Sequence, residues 1–174
     1  MYNTREIAII IILSAAGGAI SVPVGYLANT LKSIPILPLG VGQILSGVHI
    51  LSLLLVRVLT GRTGSATFAG AVKGLVELIL FSFHGIQVLP IAVLEGIIID
   101  LVMSLPTNIS QGKFAIAGGL SASSNVLVLW LLLLQNISLS VIGFMWILAL
   151  ISGVLFGVFG WHALKQIQQA IHLY

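Results

Sequence analysis

RVLTGRTGSATFAGAVKGLVELILFSFHGIQVLPIAVLEGIIID, the stretch from Arg57 to Asp100, decides how the chain must be built. It reads as a basic turn, an apolar helix carrying Lys73 and Glu77, a tight turn at His84-Gly85, and a second helix carrying Glu95 and Asp100. Those four ionisable side chains fall within 28 residues of strongly apolar sequence. A charge at membrane depth is costly unless it is paired or faces a wet cavity. Any account of the protein has to give all four a place.

The surrounding composition puts this stretch in a bilayer. The chain has 174 residues, 59% of them apolar and 6% charged, with a mean hydropathy of +1.20. Soluble domains carry about 25% charged residues. A span needs about 20 apolar residues, so the length allows an all-α bundle of six transmembrane helices in one domain. Continuous runs such as VLVLWLLLL lack the apolar–polar alternation of a transmembrane β-barrel. Cysteine is absent, which removes disulfides and thiolate chemistry. The net charge of +3 belongs to loop residues and is no signal for nucleic acid.

The expected spans are 7–27, 39–59, 63–83, 86–105, 114–134 and 139–164. Span one carries overlapping small-residue patterns, above all Ala15-xxx-Ala19 with Gly18 between them, which let another helix approach closely. Its length argues against a cleaved signal peptide. Residues 29–38 (NTLKSIPILP) form the longest expected loop, made irregular by two prolines. Gln43 and His49 lie in the first half of span two, Asn125 in the small, polar first half of span five, and Trp130 in its bulky second half. An N-x-S sequon at Asn108 matters only in an extracellular loop.

Arginine and lysine placement orients the bundle. With the N-terminus inside, cytoplasmic segments hold Arg5, Arg57, Arg62, Lys113 and Lys165, while the outer loops hold only Lys32. Both termini are therefore expected in the cytoplasm. At a helical rise of 1.5 Å, Glu77 lies about 9 Å, Lys73 about 15 Å and Glu95 about 13 Å below the outer surface, and Asp100 about 21 Å below it. Asp100 is expected to form a structural ion pair with Arg57 near the cytoplasmic side. Lys73, Glu77 and Glu95 share one depth band, in which two acids face one base. A self-neutralising triad is one reading; a carboxylate that meets a cationic ligand is the other. Gln43, His49, His84, Asn125 and Trp130 complete the expected ligand-contact set, with Trp130 and Trp146 as candidate walls for a flat ring.

No H-E-x-x-H, nucleophile elbow or P-loop occurs, so neither catalysis nor ATP hydrolysis is expected, and no cofactor or metal set is evident. Six helices without an inverted-repeat pattern are few for a self-contained secondary transporter.

The short-looped six-helix layout, the Ala15-xxx-Ala19 patch, and GRTGSATFAGAVKGLVELIL followed by LPIAVLEGIIIDLVM resemble the S-component of an energy-coupling factor (ECF) transporter. Within that superfamily the Gly61–Glu77 run and acidic span four look most like the YkoE-type group, associated with thiamin and its hydroxymethylpyrimidine precursor. The resemblance implies a subunit of a prokaryotic plasma membrane that captures a vitamin from outside. It further implies a T-component and two cytoplasmic ATPase subunits as partners, with Ala15, Gly18 and Ala19 as the docking face and toppling as the release step. Two other classes remain: a channel or proton-coupled carrier using Lys73, Glu77 and Glu95 as a relay, and a non-transporting assembly subunit.

Overall fold

A computed structural model of the chain describes residues 2–32, 34, 40–82 and 85–172, the side chains of residues 32, 171 and 172 excepted. Six α-helices carry the fold among these residues: α1 Thr4–Lys32, α2 Ser46–Thr60, α3 Ser65–Ile79, α4 Val88–Met103, α5 Gln111–Leu132 and α6 Leu139–His172. Short 3-10 turns, Val41–Leu45 and Gly85–Gln87, lead into α2 and α4. With those turns included, five helices are long and apolar enough to cross a membrane. The protein is a multi-pass membrane protein.

α3 departs from the span expected at 63–83. It is a 15-residue helix, about 22 Å long by the standard rise, and so shorter than the roughly 30 Å hydrocarbon core. Lys73 and Glu77 lower its hydropathy, and its inward side lies against α1 and α4 rather than lipid. It ends at Ile79, and the turn that follows holds Phe81, a non-glycine residue in the left-handed region with φ 56°. α1 departs in the other direction. Residues 29–32 of the expected loop are helical, and α1 continues through Pro23. Pro23 is exposed on the outer side of the helix, where a membrane helix tolerates one missing amide donor. Residues 33 and 35–39 lie outside the described residues.

α2 sits at the centre and touches every other helix. Its buried residues include Ile50, Leu53, Leu54 and Arg57, the three- and four-residue spacing of a helix face turned inward. Leu53 and Leu54 join Ile10, Ala66, Ile99 and Phe114 in the main apolar core. α1 lies at the edge. Its buried stripe is Ile10, Ser14, Gly18, Ser21 and Gly25, mostly small residues.

Glycines let two helix pairs close up. A Cβ at Gly70 would collide with the backbone carbonyl of Ala92, and one at Gly96 with that of Ala66, so α3 and α4 meet backbone to backbone. Gly118, Gly153 and Gly157 play the same part between α5 and α6.

The helix ends near residue 62 are tied together. Asn3 and Glu6 exchange side-chain-to-backbone hydrogen bonds of 2.8 Å in a capping box at the start of α1. Glu6 also meets Arg62 at 2.9 Å, and Tyr2 stacks on Phe68. α3 lacks a side-chain cap of its own at Gly64. Asp100 of α4 supplies one, accepting from Thr67 N at 2.8 Å and Thr67 Oγ1 at 2.7 Å, with Ala66 N at 3.4 Å. A carboxylate facing orphan N–H groups at a helix N-terminus is stabilising.

Candidate functional site

The glycine contact between α3 and α4 decides what faces what. It holds Glu95 of α4 beside the α3 face that carries Lys73 and Glu77, and the three line one cavity with His49 of α2 and Asn125 of α5. Val88, Ile91 and Ala92 form its apolar wall. Lys73, Glu77 and Glu95 are each 1–2% exposed.

Their partners differ. Lys73 and Glu77, four residues apart on one helix, approach to 2.5 Å between Nζ and Oε1. This is a contact of charges rather than an aligned hydrogen bond. Neither carboxylate oxygen of Glu95 has a hydrogen-bond partner among the described residues. Ser121 bonds Glu95 only through the backbone, its hydroxyl donating to the carbonyl at 3.1 Å. Buried acids are normally paired or hydrogen-bonded, so Glu95 is the exception in this protein. With two carboxyl groups against one ammonium, the lining has a surplus of acid.

A second, small cavity shares two of its lining residues with the first. Its described lining is Gly25 and Ala28 of α1, Gly42 and Gln43 of the Val41–Leu45 turn, Ser46 at the start of α2, and again His49 and Asn125. Those last two side chains form the partition. Asn125 is 7% exposed, and its Oδ1 has no hydrogen-bond partner among the described residues. The solvent-accessible part of each cavity holds about one water.

The sequence-derived candidates therefore divide. Lys73, Glu77, Glu95, His49, Gln43 and Asn125 come together around the two cavities. Trp130 lines neither cavity; with Trp146 it packs on a smaller apolar cluster of Val126, Ile142, Met145 and Ala149. His84 lies outside the described residues. Arg57 Nε stands 3.1 Å from Asp100 Oδ1, both side chains largely buried, away from the cavities. In the α1 patch, Ala19 is exposed and Ala15 half-buried, but Gly18 is buried. A Cβ at Gly18 would meet Val76 and the carbonyl of Lys73, so Gly18 serves the contact with α3 and is not part of an outward face. Sequence reasoning missed Gly25, Ala28 and Ser46 as lining residues. The one signal for Gly25 was a glycine within a helix, where the residue costs stability and wants a packing reason.

A family model for the permease component of an ABC-type cobalt transport system matches residues 5–124. The chain belongs to that permease family. The matched part of this permease runs from the start of α1 into α5 and contains His49, Lys73, Glu77 and Glu95; Asn125 stands just past its end. No curated protein matches the permease chain. Among solved structures, the fold is similar to one described as a crystal structure of an S-component of an ECF transporter, with a TM-score of 0.87. That likeness covers 98% of this chain and 87% of the other at 18% identity. The all-helical architecture is that of an ECF S-component.

Proposed function

We propose that the protein is the substrate-binding membrane subunit of an ATP-driven ECF-type uptake transporter, and that its substrate is a small organic cation of the thiamin or hydroxymethylpyrimidine kind. The observation that carries this reading is Glu95, a buried carboxyl group without a hydrogen-bond partner among the described residues, on the wall of a cavity lined by two acids and one base. A cation supplies what that group lacks. Family membership and the S-component fold support the transporter part.

The family description also raises cobalt as cargo. The donor set supports it less well. Among the described residues no three His, Asp or Glu side chains stand close enough together to hold a metal ion. The Lys73 ammonium beside Glu77 competes for the same carboxylate, and a divalent cation of this type favours imidazole, carboxylate or thiolate ligands free of such a rival.

In this reading both termini are cytoplasmic and the cavities take their ligand from the outside. Ala15 and Ala19 form the surface for the T-component, and two separate ATPase subunits supply the energy. The test is a calorimetric and thermal-shift screen of detergent-purified protein against thiamin, hydroxymethylpyrimidine, riboflavin, biotin, pyridoxine and Co²⁺. A ligand at 100 times its dissociation constant adds about 2.7 kcal/mol of stability. A single tight organic ligand, weakened in Glu95→Gln, is the expected outcome. Tight Co²⁺ binding with no organic ligand would overturn it.

A further inference from the structure

We infer that Ser152 of α6 is a positioning residue for the ligand site: it lines neither cavity, yet its hydroxyl clamps the entry into α2 and so sets where Gln43, Ser46 and His49 point. The inference rests on the proposed function and deepens it.

The chain enters α2 through a break. Val41–Leu45 is a 3-10 turn, and α2 proper begins at Ser46. The change from about 3.0 to about 3.6 residues per turn alters the direction in which every later side chain points. Little in the segment itself holds that change in place. Three of its eight residues from 40 to 47 are glycine, the residue with the most backbone freedom. Leu45, at the N-cap position, offers no side-chain oxygen, so α2 has no cap of its own. The hydroxyl of Ser46 is already given to the carbonyl of Gln43 at 2.7 Å. The first N–H groups of α2 therefore need a partner from elsewhere.

Ser152 is that partner. Its Oγ accepts from Gly47 N at 2.9 Å and donates its proton to the carbonyl of Ile44. One buried hydroxyl, 3% exposed, thus ties the end of the turn to the start of the helix. The seat is shaped for so short a side chain. A Cβ at Gly47 would collide with the Ser152 carbonyl and the Phe156 ring, so the α2 backbone lies directly against α6. Gly40, at φ 89°, rests on Met145, seven residues before Ser152 and on the same face of α6. The segment held in this way contributes Gln43 and Ser46 to the second cavity and His49 to both. His49 stands one turn beyond the clamp and shares the first cavity with Lys73, Glu77 and Glu95.

The test compares the loss of one hydroxyl at each end of α2 in the full-length protein in detergent. Ser152→Ala removes the clamp. Thr60→Ala removes a hydroxyl that bonds the Val56 carbonyl and Ser65 and lines neither cavity. Both should lower Tm slightly and to a similar extent. Calorimetric titration with thiamin should show binding at least about 5-fold weaker in Ser152→Ala, because only molecules with an ordered first turn are competent, and within about 2-fold of wild type in Thr60→Ala. Without ligand, amide hydrogen exchange at residues 43–49 should accelerate in Ser152→Ala alone. Unchanged exchange there, thiamin affinity that Ser152→Ala leaves intact, or an equal loss in Thr60→Ala would overturn the positioning role and leave the cation site standing. Wild-type protein that binds no thiamin would overturn the proposed substrate and the positioning role with it.

Discussion

Glu77→Gln and Glu95→Gln remove one carboxyl group each from the same cavity, yet their surroundings call for different effects on stability. Glu77→Gln strips the partner from an ammonium that is 2% exposed and sits 2.5 Å from it. Breaking a buried ion pair by removing one member costs about 3–5 kcal/mol. Glu95 lines the same cavity and takes up part of the orphaned charge, which places the cost near the lower limit, about 3 kcal/mol. For a chain of this size that corresponds to a fall in Tm of about 6–12 °C. Glu95→Gln breaks no hydrogen bond or close ion pair among the described residues, because neither of its oxygens has a described hydrogen-bond partner. Its replacement by a neutral amide should leave Tm unchanged or raise it by up to about 4 °C. Binding should move the other way: losing a desolvated charge partner costs about 2 kcal/mol or more, roughly 30-fold in affinity for a cationic ligand. Unfolding of the purified variants, followed by intrinsic tryptophan fluorescence with and without thiamin, reads both quantities. A Tm for Glu95→Gln as low as that for Glu77→Gln would refute the reasoning, since Glu95 would then be a structural partner of Lys73.

Three further outcomes are expected. Asp100→Ala should destabilise by about 3–5 kcal/mol, because it leaves Arg57 unpaired and uncaps α3, while Asp100→Asn keeps an acceptor for Thr67 and should cost less than half of that; chemical unfolding in detergent distinguishes the two. Gly96→Val drives a side chain into the carbonyl of Ala66 and separates α3 from α4, so it should cost at least about 3 kcal/mol and abolish ligand binding, measured by size-exclusion profile and calorimetry. The native chain has no cysteine, so single cysteines report sidedness directly: in intact cells a membrane-impermeant maleimide should label Asn136→Cys and spare Gly112→Cys, and the reverse pattern would invert the proposed orientation.

Composition and hydropathy determined the class of this protein: 59% apolar residues in long runs leave no surface that water could cover, and the runs are long enough only for helices. The rise per residue then placed Lys73, Glu77 and Glu95 at one depth, since depth along a helix depends on sequence distance alone. The i,i+4 relation of Lys73 and Glu77 was legible for the same reason. Direction around the helix axis was not. Whether Glu95 points at Lys73, at lipid or into a cavity depends on how α4 is rotated against α3, and that is settled by the backbone contacts at Gly70 and Gly96. α1 makes the same point: Ala15, Gly18 and Ala19 read as one small-residue patch, but the packed stripe through Ile10, Ser14, Gly18, Ser21 and Gly25 turns Gly18 inward and leaves Ala19 outside. Asp100 was readable as a partner for Arg57, yet its cap on α3 required the end of one helix to meet the flank of another. The depths were written in the chain, but the facings come from long-range packing, because helix rotation is chosen by which surfaces can approach and no single segment contains that choice.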